Sequence, residues 1–159
     1  MNPPVLRANA LVAQVAADLG FLMATGELPA DAEMPCHRVV SVGWCGPLGT
    51  SGQFFYCIER GLGEALTVNL LGLRPGEAVS DADLDSSAGE LANVLSGNLL
   101  PFLYGNDHEF RLLPPQLLPP VDPGGRREAA IEFLEGRLTV ATLVSAEASG
   151  TLRRAVNLP

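Results

Sequence analysis

Glu90 and Asn93 stand three positions apart in the segment SSAGELANVLSG, residues 86–97, and their types and spacing could do chemistry. On an α-helix each step turns about 100°, so side chains three apart share a face, about 60° from one another and one turn along. A carboxylate placed so can hold a cation on another molecule. A carboxamide beside it donates and accepts hydrogen bonds, and can orient a water without adding charge.

The direction of that face follows from the apolar pattern. Leu84, Ala88, Leu91, Leu95 and Leu99 recur at helical spacing and form one stripe. Ser86, Glu90, Asn93 and Gly97 repeat with similar spacing roughly half a turn away, so the pair is predicted to look outward while the leucines bury. Ser86, Ser87, Gly89 and Gly97 are small and leave the surface around the pair open to a binding partner. Ser86 reads as a spacer and not as a nucleophile, because the sequence assigns it no His or Lys base.

A helix carrying such a pair needs a start, a stop and a support. Ser80 with Asp83 has the form of a capping box, Asp standing for the usual Glu or Gln. Asp81 and Asp85 add negative charge near the positive end of the helix dipole. Pro101 removes an i→i−4 bond and is expected to end or kink the helix close by. Upstream, Ala8, Leu11, Val12, Val15, Leu19 and Met23 give a first helix, with Gly26 and Pro29 as stop signals and residues 27–35 as a loop. Residues 37–45 are rich in β-branched side chains and predict a strand; turn chemistry follows, and residues 53–59 return. Residues 62–71 predict a short helix closed by Gly72. Beyond the long helix, residues 109–113 read as a strand, Pro114-Pro115 and Pro119-Pro120 as an extended surface path, and residues 129–134 with 138–144 as a hairpin. Residues 145–159 read as a fraying tail. The order predicts an α+β fold: a largely antiparallel sheet with two to three helices on one face, the long central helix carrying the Glu-x-x-Asn motif.

The chain has 159 residues, of which 47% are hydrophobic, enough for one sizeable core. Its net charge of −8 argues against a nucleic-acid backbone or an anionic membrane surface as partner, and suits one that presents lysines. No segment reaches the ~18 consecutive apolar residues of a membrane span. The apolar run 5–25 is interrupted by Gln14 and Asp18 and reads as a mature helix, not a signal peptide. Cys36, Cys45 and Cys57 lack CxxC spacing and read as buried thiols of a reduced compartment. With His37 and His108 they fit no standard zinc spacing. Trp44 reads as core or interface packing, and the glycine-rich residues 43–52 as a hairpin turn, lacking the Lys-Ser/Thr ending of a phosphate loop.

Taken together these residues resemble the chemotaxis phosphatases of the CheC, CheX and FliY group, CheX-like domains most of all in layout. The resemblance rests on Ser86-x3-Glu90-x2-Asn93, on Gly97 and the later Pro114-Pro115, and on the element order across residues 35–145. The chain 1–159 then reads as a single CheX-like domain, with residues 1–30 as an N-terminal helix and loop. The prolines fall slightly nearer to Asn93 than is usual in the group. The earlier helix carries Glu64 and Asn69, five apart and on different faces, so a single site is implied, as in CheX.

The resemblance implies hydrolysis of the aspartyl phosphate on a CheY-like receiver-domain response regulator. Asn93 would hold the attacking water, and Glu90 would pair with the receiver's lysine. It further implies no cofactor of the chain's own, the Mg²⁺ being held by the receiver, together with a cytoplasmic location and a homodimer. The same fold also serves as a non-catalytic adaptor or flagellar-switch component, which binds the regulator without shortening the life of its phosphate.

Overall fold

Strands β2 (Arg38–Cys45) and β3 (Ser51–Ile58) pair antiparallel along their whole lengths, from Arg38↔Ile58 to Cys45↔Ser51. Side chains alternate along a strand, so Val40, Val42, Trp44, Phe54, Tyr56 and Ile58 share one face, and all are buried. This is the computed structural model of the chain, which describes residues 6–34 and 36–145; most of the tail expected at 145–159 lies outside them.

The remaining elements are α1 (Asn9–Gly20), β1 (Ala24–Glu27), α2 (Arg60–Leu71), α3 (Asp81–Tyr104), β4 (Arg111–Leu112), β5 (Gln116–Leu118), β6 (Arg126–Phe133) and β7 (Gly136–Val144). Among the described residues seven strands form one sheet in the order β1-β6-β7-β3-β2-β4, with β5 also on β2, and every pairing is antiparallel. The three helices pack on the face that carries Tyr56 and Val140, and share one core with it. The fold is α+β.

The first helix differs from its sequence reading. It stops at Gly20, because Phe21 turns left-handed (φ 53°) and its N–H closes on Ala16 and Ala17. Its most buried stripe is Ala8, Val12, Ala16 and Gly20, small residues that let other elements approach, and Leu11, Val15 and Leu19 are only half-buried. Met23 leaves the stripe and is exposed, and residues 24–27 form an edge strand on β6 that helical periodicity concealed. Residues 116–118, expected as plain extended chain between the proline pairs, make a strand on β2.

The opposite face of the sheet is buried at its centre too, at Val39, Phe55, Cys57 and Thr139. The chain leaving edge strand β1 must cross this face to reach β2. Arg127 holds the crossing, donating to the carbonyls of Ala30 and Ala32 at 3.1 and 2.6 Å. Cys36 at its far end is disulfide-bonded to Cys57 of β3. The reading of three buried free thiols is thereby corrected: the topology brings Cys36 and Cys57 within 5.3 Å Cα to Cα, and the free Cys45 is exposed. No helix among the described residues is long and apolar enough to cross a membrane.

Candidate functional site

Helix α3 is pinned at three heights. At its start the Ser80 hydroxyl accepts the Asp83 N–H at 3.1 Å, the N-cap half of the expected box. Arg38, at the head of β2, donates to Asp85 at 2.7 Å and to Asp81 at 2.9 Å. Midway, the Tyr56 hydroxyl and the Ser96 hydroxyl lie 2.6 Å apart in the core, and Ser96 also donates to the Ala92 carbonyl. Burial pushes the Tyr56 phenol far up, so it stays neutral. At the far end Tyr104 packs on Trp44 with ring centroids 5.4 Å apart. Pro101 sits inside the last turn, and the helix closes three residues later, where Gly105 N–H meets the Pro101 carbonyl.

This clamping orients the two faces of the helix. Leu84, Ala88, Leu91, Leu95 and Leu99 are all buried. Ser86, Glu90, Asn93 and Gly97 are all exposed, and Gly89 is half-buried. Ser87, expected beside them on the open surface, is instead buried, because one further step of the helix turns it toward the core. No hydrogen bond or ion pair to any described residue engages the side chain of Glu90 or Asn93. The carboxylate and the amide therefore stand free on one side of a fixed rod, about 60° apart.

The edge of the sheet borders this face. A Cβ on Gly89 would stand 3.7 Å from Pro115 Cβ, and one on Gly97 would stand 3.9 Å from a Leu112 methyl. Asn93 lies between these two glycines, so no neighbouring side chain of its own row covers it. Pro114 and Pro115 shape the break between β4 and β5, as an N–H-less residue must on an edge strand.

The earlier helix makes no second pair. Asn69 donates its amide to the Gly20 carbonyl at 2.7 Å, while Glu64 lies 3.9 Å from Arg60. Among the described residues no group of three His, Cys, Asp or Glu is placed to hold a metal.

Two supports escaped the sequence reading. Alternation puts Arg38 on the buried face of β2 with Val40, where a charged group needs partners. The acidic pair Asp81 and Asp85, four apart, was the available signal, although it read only as dipole charge. His37 completes this corner: its Nε2 lies 3.2 Å from Arg60 Nε and 3.3 Å from Arg38 Nη1, so it accepts and the ring is neutral. Burial, then Arg38 and Arg60, hold it below the usual imidazole range. The Tyr56–Ser96 contact spans 40 positions and had no local signal.

No family model matches the sequence, nor does any curated protein. Solved structures do match in fold. The chemotaxis protein CheX from Vibrio vulnificus superposes with a TM-score of 0.65 at 15% identity, over 91% of this chain and 99% of that one. CheX in a CheX–CheY–BeF3–Mg²⁺ complex from Borrelia burgdorferi gives 0.60 at 14% identity, over 84% and 92%. A CheC-like superfamily protein from Shewanella sp. PV-4 gives 0.60 at 17% identity, over 85% and 92%. At these identities the likeness is one of fold.

Proposed function

We propose, from the fold it shares with CheX proteins and from the free Glu90–Asn93 pair, that this chain hydrolyses the aspartyl phosphate of a CheY-like receiver domain. The observation that carries the reading is the state of the pair: exposed, without side-chain partners among the described residues, and on the outer face of a helix fixed at both ends and in the middle. A structural neighbour solved as a CheX–CheY complex with BeF3 and Mg²⁺ gives the partner class.

Phosphoryl transfer asks for positioning and charge neutralisation more than for covalent help. The receiver brings its own Mg²⁺ and lysine, which meet the phosphoryl charge. Glu90 pairs with that lysine and sets the docking register. Asn93 accepts a hydrogen bond from a water and holds its oxygen in line with phosphorus. The new P–O bond forms as the acyl P–O bond breaks, leaving aspartate and inorganic phosphate. An amide serves here because it brings no negative charge up to the phosphate, and the gain comes from ordering the water beforehand. The proposal includes a cytoplasmic setting and a homodimer.

The test is the half-life of a phosphorylated CheY-type receiver from the same organism, with and without the protein. Wild type shortens it, and Asn93→Ala removes at least about 100-fold of that acceleration while its melting curve and its binding of the receiver are kept. An Asn93→Ala protein as active as wild type would overturn the assignment. Binding by wild type with an unchanged half-life would establish the non-catalytic adaptor in its place.

A further inference from the structure

Leu117 of β5 pairs with Val40, so its side chain stands on the helix-bearing face of the sheet. Val40 is fully buried under α3; Leu117 is 47% exposed. Pro114 and Pro115 precede it, both exposed, and Pro115 closes against Gly89, one helical turn before Asn93. Apolar surface thus begins at the border of the polar pair and continues along the edge of the sheet. Both proline rings and the pairing of β5 hold it in place, so little freedom is left to lose on binding.

We infer that Pro115 and Leu117 form an apolar docking shoulder for the receiver domain, set beside the water-holding Asn93; the inference rests on the function proposed above. The occupant follows from continuity and charge. Glu90 is a free carboxylate among uncharged neighbours (Ser86, Gly89, Asn93, Gly97), and the shoulder adds no charge. The surface as a whole fits a partner with one cation set beside an apolar patch. Interfaces have this form, a desolvated apolar contact around a few oriented polar groups. In this division Leu117 gives affinity, Glu90 register, and Asn93 the chemistry.

The experiment is a binding titration with the CheY-type receiver of the same organism loaded with beryllofluoride and Mg²⁺, beside turnover of its phosphorylated form. Leu117→Asp raises Kd and KM about tenfold with kcat unchanged. Leu117→Ser and Pro115→Ser give smaller rises. Leu143→Asp, at a leucine somewhat more exposed than Leu117 and on the opposite sheet face, changes neither. Melting curves of all four separate docking from folding. Wild-type Kd in both Leu117→Asp and Pro115→Ser overturns the shoulder and leaves the catalytic proposal intact. If wild type binds the loaded receiver but never shortens the half-life of the phosphorylated form, catalysis fails, and the shoulder stands or falls on the same Kd ratios. If sedimentation shows that Leu117→Asp splits a homodimer while receiver binding holds, the surface is a self-interface and the inference is overturned.

Discussion

Glu90 bears its charge in open water, where an isolated ion pair is worth only about 0–1 kcal/mol. Nothing in the described chain pairs with it, so its removal costs the fold nothing that the structure shows. In the proposed complex, against a receiver lysine, the same carboxylate would be partly desolvated and worth more, and its pull would be felt before contact. Glu90→Gln is therefore expected to raise KM for the phosphorylated receiver about tenfold and lower kcat little, with stability unchanged to within about 0.5 kcal/mol. Association measured by stopped flow at rising ionic strength separates it from a packing defect. Wild type slows with salt, and Glu90→Gln has the shallower slope. A variant with wild-type KM and wild-type salt slope would remove Glu90 from the docking register. In the proposed reaction Asn93 has a different part, since its amide would act on the water and only there.

Elements reach their places through pairs of groups distant in the chain, and this governs what could be read beforehand. The apolar stripe of α3 and its outward pair were legible because both lie within one helix. Strands β2 and β3 were legible from β-branched runs around turn residues. Strand β1 was not, since ATGE has no alternation of its own and exists by pairing with β6. Strand β5 hid between prolines for the same reason. Glu59 shows the same dependence: it precedes α2, yet its carboxylate accepts the Arg137 backbone N–H at 2.8 Å and the guanidinium at 3.0 and 3.2 Å, tying the head of α2 to β7. Those side-chain hydrogen bonds, foremost, hold Glu59 below the ordinary glutamate range. The unfolded chain then takes up this proton first as pH falls. The contribution is fully present above the unfolded value of about 4.3 and is lost as pH drops through the folded one. Urea midpoints followed from about pH 6 to about pH 3 should fall for wild type, with a flatter acid limb for Glu59→Gln. Parallel limbs for the two proteins would refute the coupling.

At the scale of the whole molecule the sheet is covered on both sides by different means. Three helices cover one face, and their core includes the N-terminal part of the chain, where Asn9 Oδ1 accepts the Ala130 N–H at 2.9 Å. The other face is covered by the segment that crosses from β1 to β2, bonded at its start through Leu28 N–H to Ala130 and held midway by Arg127. Its end is fixed covalently by Cys36–Cys57, three residues before Val39 and two before the arginine that clamps α3. A bridge spanning 21 positions removes loop entropy from the unfolded chain worth about 3 kcal/mol. A reducing cytoplasm would act on this bond before any other part of the structure. Reduction, or Cys36→Ser with Cys57→Ser, is expected to lower unfolding free energy by about 2–4 kcal/mol, read as a shift in the urea midpoint. Cys45→Ser, with its thiol exposed and unpaired, leaves the midpoint in place. Two alkylatable thiols per chain lost on oxidation, and mass spectra joining the peptides of Cys36 and Cys57, identify the bridge itself. Because that bridge grips the sheet face away from Glu90 and Asn93, the reduced protein should keep the proposed receiver binding at temperatures well below its melting point. Loss of binding on reduction, with the fold intact, would show that the crossing segment controls the site through Arg38.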